Sequence, residues 1–167
     1  YEYRIVDLRE QGATPPAVSS LVADAVTKGY AALNITHPVK QEIIGALDAL
    51  SEDAGLIGAV NLVLIRDGVL RGENTDWTGF RKGLTLGLPN SSFATVLQYG
   101  AGGAGAATAY ALLKHGVATL AISDLDMERA EGLADRYRAH FPGREIRAVG
   151  SGDASELLES VDGVVQA

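Results

Sequence analysis

Cysteine is absent from all 167 residues. That excludes a disulfide framework and a thiolate metal site, and no metal is expected. It also fits a reducing cytoplasm, where the protein is expected to work. Long apolar runs are absent too. No stretch approaches the roughly 20 apolar residues that span a bilayer, and no signal peptide is visible, so no membrane partner is expected. Basic residues are few: 14 Lys and Arg stand against 21 Asp and Glu, for a net charge of −7. Phosphate backbones are gripped by clustered Lys and Arg, so this balance argues against a nucleic-acid partner. An anionic small-molecule substrate remains open, because a pocket can be basic on an acidic protein. A starting Met is also lacking. The chain opens on Tyr1 and stops at Ala167 inside a strand pattern, and both natural ends are expected to lie outside it.

What is present is an ordinary globular composition, 47% hydrophobic and 21% charged. The length suffices for one sizeable core or two small ones. Residues 3–7 form a strand candidate. Pro15 and Pro16 stand where a helix can open, and residues 18–30 carry helical periodicity up to Gly29. Residues 31–35 read as a second strand. Residues 40–50 read as a helix with Ile43, Ile44, Leu47 and Leu50 on one face. Residues 59–65 and 69–73 flank Asp67-Gly68, a hairpin signal. The turn-rich run Gly87-Leu88-Pro89-Asn90-Ser91-Ser92 places a domain boundary between 1–88 and 89–167. Beyond it, strands at 95–99, 119–123, 146–149 and 163–167 alternate with helices at 104–115, 128–140 and 154–160. That alternation predicts a parallel sheet covered on both faces.

The run Gly100-x-Gly102-x-x-Gly105, with Gly103 and Ala104 inside it, matches the dinucleotide fingerprint. It follows a strand and opens a helix, which is the context that separates the fingerprint from a plain glycine turn. Gly100 permits the tight turn, Gly102 lets backbone approach a pyrophosphate, and Gly105 lets helix pack on strand. Asp124 ends the next strand, close to the roughly 20-residue spacing of the acid that takes the ribose hydroxyls. With Asp126 nearby, it repels a 2′-phosphate and favours NAD over NADP as cofactor. Arg129 pulls the other way, since a guanidinium can neutralise a phosphate or stack on adenine. Asp124 could instead cap a helix, although Asp126 is better placed for that.

Before the boundary lie Thr36, Lys40, Asn61 and Asp76. Thr36 and Lys40 flank a turn that Pro38 opens. Asn61 interrupts an apolar strand, and Asp76 sits at a strand end just before a helix. Polar groups at strand ends of an open α/β sheet are where ligands are expected. Lys with Asp suits proton transfer. A surface ion pair among N-capping residues is the other reading of the same residues.

The motifs together resemble the shikimate dehydrogenase family, including its NAD-dependent quinate/shikimate branch. Its N-x-T-x-P-x-K pattern is met by Asn34, Thr36, Pro38 and Lys40, and its G-A-V-N element by 58–61. Its G-x-N-T-D-x-x-G element is met by 72–79 and its G-A-G-G-A loop by 100–104. The resemblance implies two three-layer αβα domains: an N-terminal substrate domain with a mostly parallel sheet, and a C-terminal Rossmann-type NAD(P) domain. It implies that Lys40 and Asp76 are the catalytic pair, with Thr36, Lys40, Asn61 and Asp76 on the ring of shikimate or quinate. It implies a monomer or homodimer. Ser123-Asp124-Leu125-Asp126 and His37 look like the NAD-using branch, and Leu62 stands where the family commonly has Thr. A Ser-x-Ser or Ser-x-Thr element that grips the substrate carboxylate is expected ahead of Tyr1. Closing segments with a substrate-touching Gln are expected beyond Ala167. An NADP-dependent biosynthetic enzyme and a non-catalytic quinate/shikimate sensor are the competing readings.

Overall fold

In the computed structural model, which describes residues 2–8 and 17–167, the strands gather into two four-stranded sheets. The first half runs α1 (Val18–Thr27), β1 (Ala32–Asn34), β2 (Ala49–Leu50), α2 (Glu52–Ile57), β3 (Leu62–Arg66), β4 (Val69–Glu73) and α3 (Asp76–Gly87). The second half runs β5 (Thr95–Tyr99), α4 (Gly103–His115), β6 (Thr119–Ser123), α5 (Met127–His140), β7 (Glu145–Ala148), α6 (Ser151–Leu157) and β8 (Gly163–Gln166).

The first sheet has the order β1-β3-β4-β2. Asp67 and Gly68 take φ values of 52° and 78°. Two successive positive φ angles make the turn that matches strand twist, so β3 and β4 pair as a tight hairpin from Arg66↔Val69 to Leu62↔Glu73. β1 joins β3 antiparallel and β2 joins β4 parallel. The sheet expected to be mostly parallel is therefore mixed, because a two-residue link permits only antiparallel neighbours. One face is apolar: Val63 with Leu33, Leu50, Ile65 and Leu70 packs on Val22 of α1, Ile43 and Ala54 of α2.

Two expectations fail here, and one element was not foreseen. Residues 40–50 are not an α-helix. A single 3₁₀ turn at Glu42–Ala46 is followed by β2, whose Ala49 and Leu50 pair with Arg71 and Gly72. The apolar positions still go inward, but sheet pairing overrides the helical period. Residues 3–7 pair with no strand among the described residues, and Tyr3, Ile5 and Val6 are exposed. The helix at 52–57 had no counterpart in the sequence reading. The expected helix opening at Pro15 and Pro16 lies outside the described residues.

The second sheet is parallel throughout, in the order β7-β6-β5-β8. Val96, Leu120, Ile122 and Ile146 face α4 and α5, while Leu97 and Ala121 face Ala154 and Leu157 of α6. This gives the three expected layers. After β7 the chain returns to the far side of β5, so strand order reverses between β5 and β8. Loops at the carboxyl ends of strands flanking such a reversal form a crevice. The two halves share packing: Ile57 and Ala59 belong to the same buried cluster as α4, and Trp77, Phe80 and Leu84 of α3 lie against it. Among the described residues no helix is long and apolar enough to cross a membrane.

Candidate active site

Lys40 and Asp76 come from separate loops and meet. Lys40 Nζ donates to Asp76 Oδ2 at 2.7 Å. The lysine side chain is 17% exposed and the aspartate 35%, so the pair is sheltered yet reachable. Asp76 opens α3, where a carboxylate is favoured by the helix dipole. Its backbone N–H donates to Asn74 Oδ1 at 3.1 Å.

Asn61 completes the cluster. Its Nδ2 donates to Asp76 Oδ1 at 2.8 Å and to Thr75 Oγ1 at 2.9 Å, and its Oδ1 accepts from Thr75 N at 2.8 Å. The backbone places it: Asn61 N donates to Glu73 O and Ile35 N to Asn61 O, which ties three strand ends together. Val60 N donates to Lys40 O at 2.8 Å, fixing the lysine loop to the same point. Asn74 is buried, and its Nδ2 reaches Ala59 O at 2.9 Å. Thr36 stays outside this network. It is exposed at the lip of a neighbouring cavity of about 790 Å³, lined also by Asn34 and His37.

The glycine loop lies beside this cluster. A Cβ added at Gly103 would sit 3.2 Å from Lys40 Cβ and 3.5 Å from Ala59 Cβ, whereas one at Gly102 would meet nothing within 4 Å. The loop therefore packs on the lysine stem while its Gly102 side stays open. A Cβ at Gly105 would lie 2.2 Å from Gly100 O, so only glycine fits that position. Gly102 precedes α4 with no capping side chain, and Gly103 and Ala104 occupy its first turn. Their N–H groups, with no intrahelical partner, suit an anion. These features fit the pyrophosphate of a dinucleotide.

Asp124 follows β6. Its Oδ2 accepts from Ala101 N at 2.7 Å and its Oδ1 from Asp126 N at 2.9 Å. Asp126 is the helix cap, accepting from the N–H groups of Glu128 and Arg129. The exposed Arg129 pairs with Asp126 at 3.2 Å.

Several contributors escaped sequence reading. Asn74 and Thr75 were inside a quoted motif but had no assigned task. Gln98 was detectable as the lone amide in an apolar strand. Arg136 and Tyr110 left no sequence signal: Arg136 Nη1 donates to Ile57 O at 2.7 Å and Tyr110 Oη to Asp53 Oδ1 at 2.5 Å, joining α5 and α4 to α2.

A parallel sheet with a glycine loop at its strand-order reversal and an acid closing the next strand defines the doubly wound α/β class. The chain is similar to members of the shikimate dehydrogenase family. The family's substrate binding domain matches residues 1–63. A shikimate dehydrogenase (NADP(+)) of Pseudarthrobacter chlorophenolicus is 45% identical over 99% of this chain and 56% of the relative. A quinate/shikimate dehydrogenase (NAD(+)) of Corynebacterium efficiens is 42% identical over 99% of this chain and 58% of the relative. The solved quinate dehydrogenase from Corynebacterium glutamicum in complex with NAD superimposes with a TM-score of 0.86 at 42% identity, covering 97% of this chain and 58% of that one. The chain thus spans less than two thirds of each relative's length.

Proposed function

We propose that the full-length protein is an NAD-dependent dehydrogenase that interconverts a ring hydroxyl of shikimate or quinate with the corresponding ketone. One observation carries the reading: an ammonium and a carboxylate from different loops meet at 2.7 Å beside a dinucleotide-type glycine loop. When bound, the nicotinamide supplies or accepts the hydride. Lys40 moves the proton at the ring oxygen, giving it in reduction and taking it in oxidation. Asp76 orients the ammonium, and Asn61 holds Asp76 in turn. The resemblance assigns Asn61 and Thr36 to further ring hydroxyls, and the division near residue 88 is read as separating a substrate half from a cofactor half.

Asp124 supports NAD. Each of its oxygens keeps a lone pair after serving Ala101 and Asp126, enough for the two ribose hydroxyls. A 2′-phosphate there would face two carboxylates. The relatives' names divide between NAD and NADP, and Arg129, paired with Asp126, is a cation an NADP reading can use. Steady-state rates of the full-length protein with shikimate and quinate, each with NAD and NADP, test the proposal. Turnover of at least one acid is expected, with kcat/KM about tenfold or more higher for NAD, the ratio given by about 1.4 kcal/mol of like-charge repulsion. Higher kcat/KM with NADP would overturn the cofactor assignment; no turnover of either acid would overturn the activity.

A further inference from the structure

Gln98 sits in the middle of β5 with its side chain wholly buried. An amide in such a place is costly unless every polar atom finds a partner. Here both ends do. Nε2 donates to Gly100 O and to Gly105 O, both at 2.8 Å, and Oε1 accepts from Thr108 Oγ1 at 2.9 Å. The partners are the first and last glycines of the fingerprint and a residue one turn further along α4.

The first of these bonds fixes a particular peptide. The Gly100 carbonyl is turned inward onto Gln98, and the N–H on the other side of that peptide, from Ala101, is taken by Asp124 Oδ2 at 2.7 Å. The Gly100–Ala101 unit is thus clamped at both its oxygen and its nitrogen. The inward carbonyl also occupies the space a Gly105 side chain would need. Without a donor beneath it, Gly100 O would be a buried acceptor with no partner, or it would swing outward. Turned outward, its negative end would enter the space left for phosphates.

We infer that Gln98, backed by Thr108, is a positioning residue for dinucleotide binding: it holds the Gly100 carbonyl away from the pyrophosphate and so keeps the loop's N–H groups facing it. The inference rests on the proposed reading of the loop as the cofactor site. Gln98→Met keeps length and volume while removing both donors and the acceptor. Thr108→Val removes only the support.

The test titrates the full-length parent with NAD and with NADP, titrates both variants with NAD, titrates all three separately with shikimate, and adds steady-state kinetics. Gln98→Met is expected to raise the Kd for NAD about tenfold, the loss of one to two net hydrogen bonds. The Kd for shikimate should stay within about twofold, and the KM for NAD should rise by a larger factor than kcat falls. Thr108→Val should move NAD affinity the same way by a smaller factor. Parent-like NAD affinity in Gln98→Met would overturn the inference, as would equal weakening of NAD and shikimate, which marks a purely structural role. If Gln98→Met does not fold, Thr108→Val decides, and unchanged NAD affinity there overturns the inference. A parent that binds neither NAD nor NADP overturns the reading of the loop itself, an outcome distinct from a parent that binds and a Gln98→Met variant that binds equally well.

Discussion

Asp76 has both oxygens engaged, one by Lys40 and one by Asn61. The lysine contact supplies the charge, and the asparagine contact sets the direction in which that charge points. Asn61 is itself held by Thr75, so the carboxylate's orientation is fixed by a chain of bonds rather than by packing. Asn61→Ala should therefore lower kcat/KM for the acid substrate about 10- to 100-fold, the scale of a lost positioning contact, while leaving NAD affinity at the parent level. Loss of NAD affinity by the same factor would show that Asn61 supports the whole fold instead. The bonded pair itself was legible in sequence, because Lys40 flanks the turn that Pro38 opens, Asp76 sits at a strand end just before a helix, and both fall in motifs the family shares. Asn74 was not, since its task depends on Ala59 O arriving from another segment.

Helix α2 shows what sequence reading loses at the scale of elements. Its signals were present: Ser51 accepts from Ala54 N as an N-cap, Glu52 and Asp53 fill the first turn, and Gly58 closes it at φ 69°. It is only six residues long, too short for an apolar stripe to declare itself. Strands β5 and β6 were legible in full, because buried parallel strands read as continuous apolar runs between turns. The segment at 40–50 misled because Ile43, Ile44, Leu47 and Leu50 satisfy a helical period while β4 recruits Ala49 and Leu50. Gly58 carries the structural consequence. A Cβ there would lie 2.3 Å from Arg136 Nη1, the group that bonds Ile57 O and so ties α5 to the end of α2. Gly58→Ala is expected to destabilise by about 1–3 kcal/mol through the left-handed φ and the displaced guanidinium. In an Arg136→Ala background the same substitution should cost less, since only the φ penalty remains. Denaturant melts of the four proteins measure this; strictly additive losses would show that the guanidinium is not what the glycine accommodates.

Across the molecule, the two halves are joined by an aromatic cluster directly behind the site. Trp77, next to Asp76, meets Tyr110 edge-on at 5.3 Å, and Tyr137 and Phe141 extend the cluster into α5. Burial pushes the Tyr137 hydroxyl well above the ordinary phenol range, and it donates to Ala106 O at 2.6 Å. Tyr110 is raised in the same direction, by burial first and then by its bond to Asp53. An acid whose folded value lies above its unfolded one stays protonated in the fold while the unfolded chain ionises. Stability is then complete below about pH 10 and falls as pH rises beyond it. Urea melts at pH 8 and above 10 should show that loss, and Tyr137→Phe should lessen its steepness; an unchanged slope would remove Tyr137 as a contributor.

This cluster holds α3, and with it Asp76, against the half that carries the glycine loop, so the Lys40–Asp76 pair stays beside that loop, where the proposed function has it exchange the substrate's proton. The most direct test of that assignment compares turnover with binding in Lys40→Ala of the full-length protein. The account predicts that kcat with the preferred acid falls by roughly 10²–10⁴, the range for loss of a positioned general acid–base, while the Kd for that acid changes by less than about tenfold. Turnover and binding weakened by one common factor, or turnover left at the parent level, would contradict it.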